Sequence, residues 1–271
     1  MAMSPKGRVA RLALLGGLLV LAPIGLKNLG TTLDPYRVDT SNAYIAPTLA
    51  QPFGTDGLGR SQLARTAFAA GLSLQVVSVS IAISFTLALV LGGIAGYWTG
   101  RWPDLLISWI ISLLFSVPFL LIVVAIFAVL TPTLARTYIV IGCIGWAAPA
   151  RIIRAEVRRL RSAPFVLASR AYGWSARRIV ATSLVPLAAT PGFIALLYFT
   201  PELIGLEVGL AFFGLGAAPP TPTLGRMIYN GMSEFSLGWW LPLMPAAVLL
   251  VVTAGLVRLP VLLEGLRRGW E

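Results

Sequence analysis

Six long apolar stretches, separated by short polar or basic segments, set the strongest limit on how this chain can fold. They cover residues 9–29, 72–98, 105–130, 138–153, 187–213 and 240–263. A helix that crosses the hydrocarbon core of a membrane needs about 20 mostly apolar residues, and most of the six stretches reach that length. Because lipid offers no hydrogen-bond partners to the backbone, the sequence predicts an all-α polytopic membrane protein with about six transmembrane helices.

Charged residues are scarce, and their positions predict the orientation of the chain in the membrane. Only 11% of the 271 residues are charged, whereas soluble domains are about one quarter charged. Lys and Arg concentrate near both termini, in the turn near residue 100 and in the segment 151–186. Cytoplasmic loops are enriched in these residues. Both termini and the 151–186 loop are therefore expected in the cytoplasm, and residues 28–71 and 217–237 on the outer side.

The net charge of +11 does not indicate a nucleic-acid-binding protein. The basic residues are spread over the flanks of the apolar stretches, and no soluble basic domain is present that would bind nucleic acid. Membrane lipid is the expected partner of these side chains, and no nucleic acid is expected as a partner.

The inventory of reactive residues argues against an enzyme. The chain has no His and a single Cys, Cys143, which lies in an apolar stretch. It lacks the Gly-x-x-x-x-Gly-Lys-Ser/Thr loop that holds nucleotide phosphates, and it shows no nucleophile–base pair or metal-ligand set. No catalytic residue, metal or cofactor is expected in this chain. A stand-alone secondary transporter or channel is an alternative, although few titratable residues are available for ion coupling.

The basic segment between the fourth and fifth stretches is predicted to form two short helices after the membrane helix ends. Helical spacing places Arg151, Arg154, Arg158 and Arg161 on one face, and Ile152, Ile153, Val157 and Leu160 on the opposite face. Ser162 is expected to cap a helix that has Pro164 in its first turn and ends at Gly173, and Ser175 to cap the next helix. Such an element is suited either to docking on another protein or to lying on the membrane surface.

Small residues and prolines within the apolar stretches have their own expected roles. Gly92-x-x-x-Gly96 and Gly205-x-x-x-Gly209 are expected to allow close helix packing within the chain. Prolines kink or break helices because they lack the backbone N–H and clash with the preceding turn. Kinks or breaks are therefore expected at Pro118, Pro191 and Pro201.

Four short segments contain the motifs that are most specific in this sequence. They are "GTDGLGRS" at 54–61, "GGIAGYWTGRWPD" at 92–104, "FVLASRAYGWSARRIVATSLVP" at 165–186 and "EVGLAFFGLGAAPPTPTLGRM" at 207–227. In order and spacing, these segments resemble the motifs of ABC importer permeases of the dipeptide/oligopeptide/nickel family. The similarity extends over about residues 50–268.

The cytoplasmic signature of that family is matched in part. It consists of Glu-Ala-Ala, three residues, Gly, nine residues and Ile-x-Leu-Pro, and Ala168, Gly173 and Pro186 match it. The departures there are Leu167 for Glu, Ser169 for Ala, Ser183 for Ile and Val185 for Leu. In the other segments Ser61 replaces Asp and Leu224 replaces Trp.

The resemblance implies a type I ABC importer permease fold and the role of the C-type inner-membrane subunit of a binding-protein-dependent system. Such a subunit pairs with a second homologous permease, with one or two cytoplasmic ATPase subunits that bind ATP and Mg, and with a periplasmic or extracellular substrate-binding protein. The expected cargo is a peptide, nickel, a metallophore or another metal-chelate complex. The expected location is the bacterial inner membrane. Residues 1–71 would form a first helix with an outer polar segment, and residues 72–271 the core permease domain.

The resemblance also assigns roles to particular residues. Coupling to the ATPase is expected at Ala163, Pro164, Phe165, Leu167, Ala168, Ser169, Arg170, Ala171, Tyr172, Gly173, Trp174 and Ser175. An outer-side structural motif is expected at Gly54, Thr55, Asp56, Gly59 and Arg60, in which Asp56 pairs with Arg60. The three arginines Arg170, Arg177 and Arg178 are expected to contact lipid or solvent, or else acidic residues of the ATPase.

Two acidic residues lie in or near the fifth stretch. Ionisable groups at membrane depth are costly and usually face protein or water. Glu202 and Glu207 are therefore expected to line or gate the translocation pathway. Glu207 also matches the family motif, whereas the alternative for Glu202 is a position in an outer or re-entrant loop.

Overall fold

The computed structural model describes residues 23–131 and 133–268, and this part of the chain is helical. Its only β-type contact is an isolated bridge between Thr55 and Ser61. The helices are α1 (23–32), α2 (Gln62–Tyr97), α3 (Trp102–Ser116), α4 (Phe119–Val129), α5 (Leu134–Gly145), α6 (Ala147–Leu160), α7 (Pro164–Ala171), α8 (Ala176–Ile179), α9 (Val185–Phe212), α10 (Leu224–Ser233) and α11 (Trp240–Arg268). The all-α prediction is confirmed.

Within residues 23–131 and 133–268, four helical segments are long and apolar enough to cross a membrane. They are Gln62–Tyr97, Leu134–Leu160, Ala176–Phe212 and Trp240–Val261. They correspond to the second, fourth, fifth and sixth predicted stretches, and three of them extend beyond the predicted bounds. The first predicted stretch, 9–29, lies mostly outside the described residues.

The third predicted stretch, 105–130, is not one straight helix. It is divided into α3 and α4, which are bent by 90° against each other, so that the pair would make a fifth, broken span. Val117 and Pro118 between them have extended backbone with ψ of 136° and 128°. The residue before a proline is disfavoured in the helical region, which accounts for the position of the break. By contrast, α9 runs through Pro191 and Pro201 without interruption.

Helix α2 is the axis on which the other membrane helices pack. It is 36 residues long, which corresponds to about 54 Å at 1.5 Å per residue. A Cβ atom on Gly92 would lie 2.8 Å from the backbone oxygen of Ala150, and one on Gly96 would lie 2.7 Å from that of Arg154. The first glycine pair therefore lets α6 approach the backbone of α2, as expected.

The second glycine pair does not pack against any residue that the structure describes. No atom lies within 4 Å of the Cβ positions of Gly205 and Gly209. The expectation of packing within the chain was therefore wrong for this pair. The two glycines leave a shallow face on α9 that no described residue covers.

Two hydrophobic cores lie along α2. One joins α2, α4, α5, α9, α10 and α11 near the start of α2, and the other joins α2, α3, α6, α7, α8 and the first turns of α9 near the end of α2. We call the first the motif end, since it adjoins residues 54–61 and the loop 213–239, and the second the loop end, since it adjoins residues 161–175. The two ends are separated by the length of α2.

Candidate functional site

The loop at the loop end contains the short helix that the sequence predicts, with its start shifted by one residue. Ala163 is the N-cap residue, with extended backbone, and Pro164 is the first helical residue of α7. The predicted cap, Ser162, was wrong, because its hydroxyl instead donates to the backbone oxygen of Arg159 in the preceding helix. Pro164 fits the first helical position because it needs no N–H partner there.

Gly173 ends α7 in a Schellman motif. Its φ is +78°. The N–H of Gly173 donates to Arg170 O (2.9 Å), and that of Trp174 donates to Ser169 O (3.1 Å). This pattern closes the last turn and reverses the chain at a left-handed residue. Ser175 then caps α8, since its side chain accepts a hydrogen bond from the N–H of Arg178, so both predicted caps are confirmed.

Only two side chains fix this loop in the core. Val166 of α7 and Ile179 of α8 are fully buried, in the hydrophobic cluster that also holds residues of α2 and α6. Val166 was not among the predicted coupling residues, although its spacing on α7 places it on the inward face. The loop is therefore anchored at two points and exposed elsewhere.

The outward face of the loop is apolar. Four large side chains are exposed, namely Phe165 (42%), Leu167 (54%), Tyr172 (84%) and Trp174 (37%). Ala168 is exposed between them, and the hydroxyl of Ser169 is bonded to Phe165 O. Contiguous exposed apolar surface is typical of a contact site for protein or membrane.

Arginines connect the loop to the turn between α2 and α3. Arg161 Nη1 donates to Tyr97 O (2.9 Å), and the guanidinium of Arg170 lies 5.4 Å from the centre of the Tyr97 ring. Arg178 in turn lies 4.1 Å from the centre of the Trp174 ring. These ring contacts were not predicted, and the expected contacts of Arg170 and Arg178 with lipid, solvent or acidic ATPase residues stay predictions.

An ion pair between α3 and α6 lies close to the turn between α2 and α3. Arg154 donates from Nε to Asp104 Oδ1 (2.6 Å) and from Nη2 to Oδ2 (3.0 Å). The N–H of Gly100 and the hydroxyl of Ser108 also donate to this carboxylate. The sequence predicted Arg154 on a membrane-flanking face but did not predict its partner. The two residues are 50 positions apart, and no local spacing points from one to the other.

The predicted faces of α6 are otherwise correct except at one position. Ile153, Val157 and Leu160 are buried as expected. Ile152 is 44% exposed, since a helix turns by about 100° per residue and so places it at the edge of the apolar face, next to Arg151. Arg151 stacks on Phe115, with its guanidinium carbon 4.1 Å from the ring centre.

The motif at residues 54–61 is held by a dense set of hydrogen bonds. The expected pair forms between Arg60 Nε and Asp56 Oδ2 at 2.8 Å. Thr55 Oγ1 donates to Asn42 O and accepts from Ile45 N, while Trp240 Nε1 donates to Thr55 O. These bonds connect the segment before α2 to the start of α11.

Gly54 and Gly59 provide the backbone geometry for this motif. Their φ angles are +71° and +69°, in the region that disfavours residues with a Cβ. A Cβ on Gly54 would also lie 2.8 Å from the Trp240 ring nitrogen. Tyr44 lies near this motif. Burial and the carboxylate of Glu234, which accepts a hydrogen bond from the Tyr44 hydroxyl, raise the pKa of Tyr44.

Comparison with known proteins then decides the family. Residues 88–262 match the sequence model of the binding-protein-dependent transport system inner membrane component family. The chain belongs to this family. It is 30% identical to the dipeptide transport system permease protein DppC of Bacillus subtilis over 240 residues, which cover 87% of this chain and 75% of that protein.

Two other family members show similar relationships. The oligopeptide transport system permease protein OppC of Bacillus subtilis is 28% identical over 92% of this chain and 82% of its own length. The di/tripeptide transport system permease protein DppC of Pseudomonas aeruginosa is 33% identical over 73% of this chain and 65% of its own. As an inner membrane component, the chain is a multi-pass transport permease and not an enzyme, as the sequence predicts.

In this family member the two acidic residues of α9 have different surroundings. Glu202 is exposed and borders a cavity of about 400 Å³ beside the break between α3 and α4, lined among others by Phe115, Pro118 and Phe199. It makes no hydrogen bond or ion pair with any described residue. The structure does not bring the two carboxylates into one site.

Glu207 is 4% exposed and lies between α9 and α2, beside Ser73. Its Oε2 atom and the Ser73 hydroxyl both lack a hydrogen bond of normal geometry. The family permease thus buries this carboxylate within its own helices, near the motif end.

Proposed function

We propose that this chain is one of two permease subunits of an ATP-driven importer, and that residues 163–175 couple it to a cytoplasmic ATPase. The observation behind this proposal is the loop itself, which is anchored at Val166 and Ile179 and exposes four large apolar side chains. A loop surrounded only by water is not expected to expose four large apolar side chains together, because contiguous exposed apolar surface marks a contact site. A helix of eight residues with a tight glycine reversal is a compact element that fits a cleft in a partner.

Force from the ATPase would reach the membrane helices through the contacts behind the loop. Arg161 and Arg170 contact Tyr97 at the end of α2, and the Asp104–Arg154 pair connects α3 to α6. When ATP and Mg bind and close the ATPase subunits, the loop, α6 and the end of α2 would move together. The chain's own residues transmit this motion and take no part in hydrolysis.

We further propose that the face of α9 around Glu202 borders the translocation pathway and meets the second permease. A carboxylate exposed within a membrane-spanning helix is unfavourable against lipid, so protein or water is expected there. The adjacent break at Val117 and Pro118 also supports a position beside the pathway, since irregular backbone at membrane depth is tolerated where it lines a cavity. Gly205 and Gly209 on the neighbouring surface leave space for a partner helix. Glu207 would set the packing of α9 on α2 near a gate.

Residues 28–71 and 217–237 are proposed to lie on the outer side, where a substrate-binding protein delivers the cargo. Both termini would then be cytoplasmic, in the inner membrane of a bacterium. We propose peptides as the cargo, ahead of nickel or metallophore complexes, because the similar proteins are named as dipeptide, di/tripeptide and oligopeptide permeases.

The test is purification of the tagged chain from native membranes, followed by transport in reconstituted vesicles. Recovery of a second permease and of ATPase subunits, together with peptide uptake that needs ATP, is the expected result. Recovery of the chain alone, with uptake in vesicles that lack ATP, would contradict the proposal. It would favour the stand-alone secondary transporter or channel instead.

A further inference from the structure

A polar cavity at the motif end has no role in the coupling proposed above. Its volume is about 430 Å³, within the usual range for small-ligand pockets. It lies between the 54–61 segment, the start of α2, the loop 219–223 and α10. Three arginines line it, together with two carboxylates, a tyrosine and several smaller groups.

One of the three arginines is not neutralised. Arg60 bonds to Asp56 at 2.8 Å, and Arg65 lies 3.5 Å from the same carboxylate. The other carboxylate, Glu234, accepts from the Tyr44 hydroxyl at 3.3 Å. Arg226 is partly buried and makes no hydrogen bond or ion pair within the described part of the chain. A half-buried guanidinium without a counter-charge favours an anion beside it.

Two further groups in the lining lack partners. Oε1 of Gln62 and Oγ1 of Thr223 are buried without a hydrogen bond to any described residue, and the two residues are 4% and 2% exposed. Buried polar atoms are nearly always hydrogen-bonded. A ligand with both an acceptor, for Arg226 and Thr223, and a donor, for the Gln62 oxygen, would satisfy all three groups.

The last residue of a peptide has this combination of groups. Its carboxylate accepts hydrogen bonds, in the bidentate manner that suits guanidinium, and its backbone N–H donates a few ångströms away. A side-chain carboxylate of a docked protein is separated from its own backbone N–H by one or two further methylene groups, so it fits this short spacing less well. A simple anion such as chloride or sulfate has no N–H and would leave the Gln62 oxygen unpaired.

We propose that this cavity binds the C-terminal residue of a peptide. Arg226 and Thr223 hold the carboxylate, and Gln62 accepts the adjacent backbone N–H. This inference rests on the proposed function, since it takes a peptide as the cargo. The site would receive the peptide at the outer side before the peptide enters the helical bundle.

The experiment compares a dipeptide with the same dipeptide amidated at its C-terminus. Binding to the purified importer complex, without the substrate-binding protein, is measured by calorimetry. The wild type is expected to bind the free acid about tenfold more tightly than the amide, which is the effect of one good charged contact. Arg226→Gln and Thr223→Val should each abolish that preference. Arg37→Gln, an exposed arginine of the same outer segment that does not line the cavity, should keep it.

The outcomes separate this site from the proposed function. ATP-dependent peptide uptake by the wild-type complex with its binding protein tests the function alone. Equal binding of acid and amide, or a preference that survives Arg226→Gln, would overturn the site even if uptake is normal. An effect of Arg226→Gln that appears only as weaker capture of the substrate-binding protein would also overturn it, since the arginine would then serve docking. A melting curve shows that each variant is folded.

Discussion

Gly173 forms the left-handed turn that ends α7 in the proposed coupling loop. Its φ of +78° costs a residue with a Cβ about 1–2 kcal/mol, although no atom lies within 4 Å of the Cβ position. In Gly173→Val this strain displaces α7 from its docking position. We expect peptide uptake to fall at least about fivefold, the effect of about 1 kcal/mol, while ATP hydrolysis continues.

Gly214 provides the matched control for this substitution. It ends α9 with φ +79°, also with open space around its Cβ position, and its helix is closed by the same pair of hydrogen bonds. Gly214→Val therefore introduces equal strain far from the loop. If both variants lose uptake and hydrolysis in parallel, the effect of Gly173 is general instability and the coupling role is wrong.

The Asp104–Arg154 pair is the second prediction at the residue scale. Its carboxylate side chain is 4% exposed and that of Arg154 is 31% exposed, so Asp104→Asn leaves a poorly solvated guanidinium with fewer acceptors. We expect a loss of about 1.5–3 kcal/mol of stability, measured by unfolding in detergent. Glu156→Gln removes an Arg–carboxylate bond of the same 2.6 Å length, but on the exposed side chain of Arg159 (68%). That control should cost less than about 1 kcal/mol.

These residues also show how far the sequence could predict the site. Gly173 and Ser175 were predicted correctly because helix caps are set by residues within one turn. The predicted cap at Ser162 was wrong by one position, because it assumed a side-chain cap. The helix instead starts at Ala163 and Pro164 without one. The Asp104–Arg154 pair, the ring contacts of Tyr97 and the cavity around Arg226 depend on the packing of distant segments, which no local pattern encodes.

At the scale of elements, hydropathy predicted where apolar helices occur but not where they stop. Residues 105–130 are apolar on both sides of Pro118, so one continuous span was expected. The helix is instead broken there, because the residue before a proline is disfavoured in the helical region of the backbone. In α9 two prolines have no such effect, because the helix there packs on α2 and α11 and those contacts outweigh the local preference.

The two glycine pairs lead to opposite predictions at this scale. Gly92→Leu would place side-chain atoms against the backbone of α6, so the variant should be recovered in low yield, as an unfolded chain. Gly205→Leu meets none of the described residues, so the variant should fold and keep the wild-type melting temperature. We expect it instead to lose the second permease during co-purification. A Gly205→Leu chain that still binds its partner fully would exclude this face from the subunit interface.

At the scale of the molecule, the two cores of the bundle lie at opposite ends of one helix. The loop end holds the exposed apolar surface and most of the arginines, while the motif end holds the polar cavity. Helix α2 connects both cores and packs on α6 and α9. Under the proposed function, this arrangement would separate coupling at the loop end from cargo reception at the motif end by the length of α2.

Orientation in the membrane is therefore the last prediction, and it tests both proposals together. Arg170, Arg177 and Arg178 lie near Ser175, whereas residues 38–59 contain neither Lys nor Arg. The positive-inside rule places the first group in the cytoplasm and the second outside. The only native cysteine, Cys143, is exposed and is first replaced in Cys143→Ala. In that background, Ser175→Cys should react with a membrane-impermeant maleimide only in inside-out vesicles.

The partner position for this measurement is Leu49, which is fully exposed in the 28–71 segment. Leu49→Cys should react only in intact cells or right-side-out vesicles, so the two variants control for each other's accessibility. Co-expression of the ATPase subunits should slow the labelling of Ser175→Cys, because the docked ATPase covers the loop, and leave Leu49→Cys unchanged. Labelling of both positions from the same side would contradict the topology, and with it the assignment of the loop to the ATPase and of the cavity to incoming peptide.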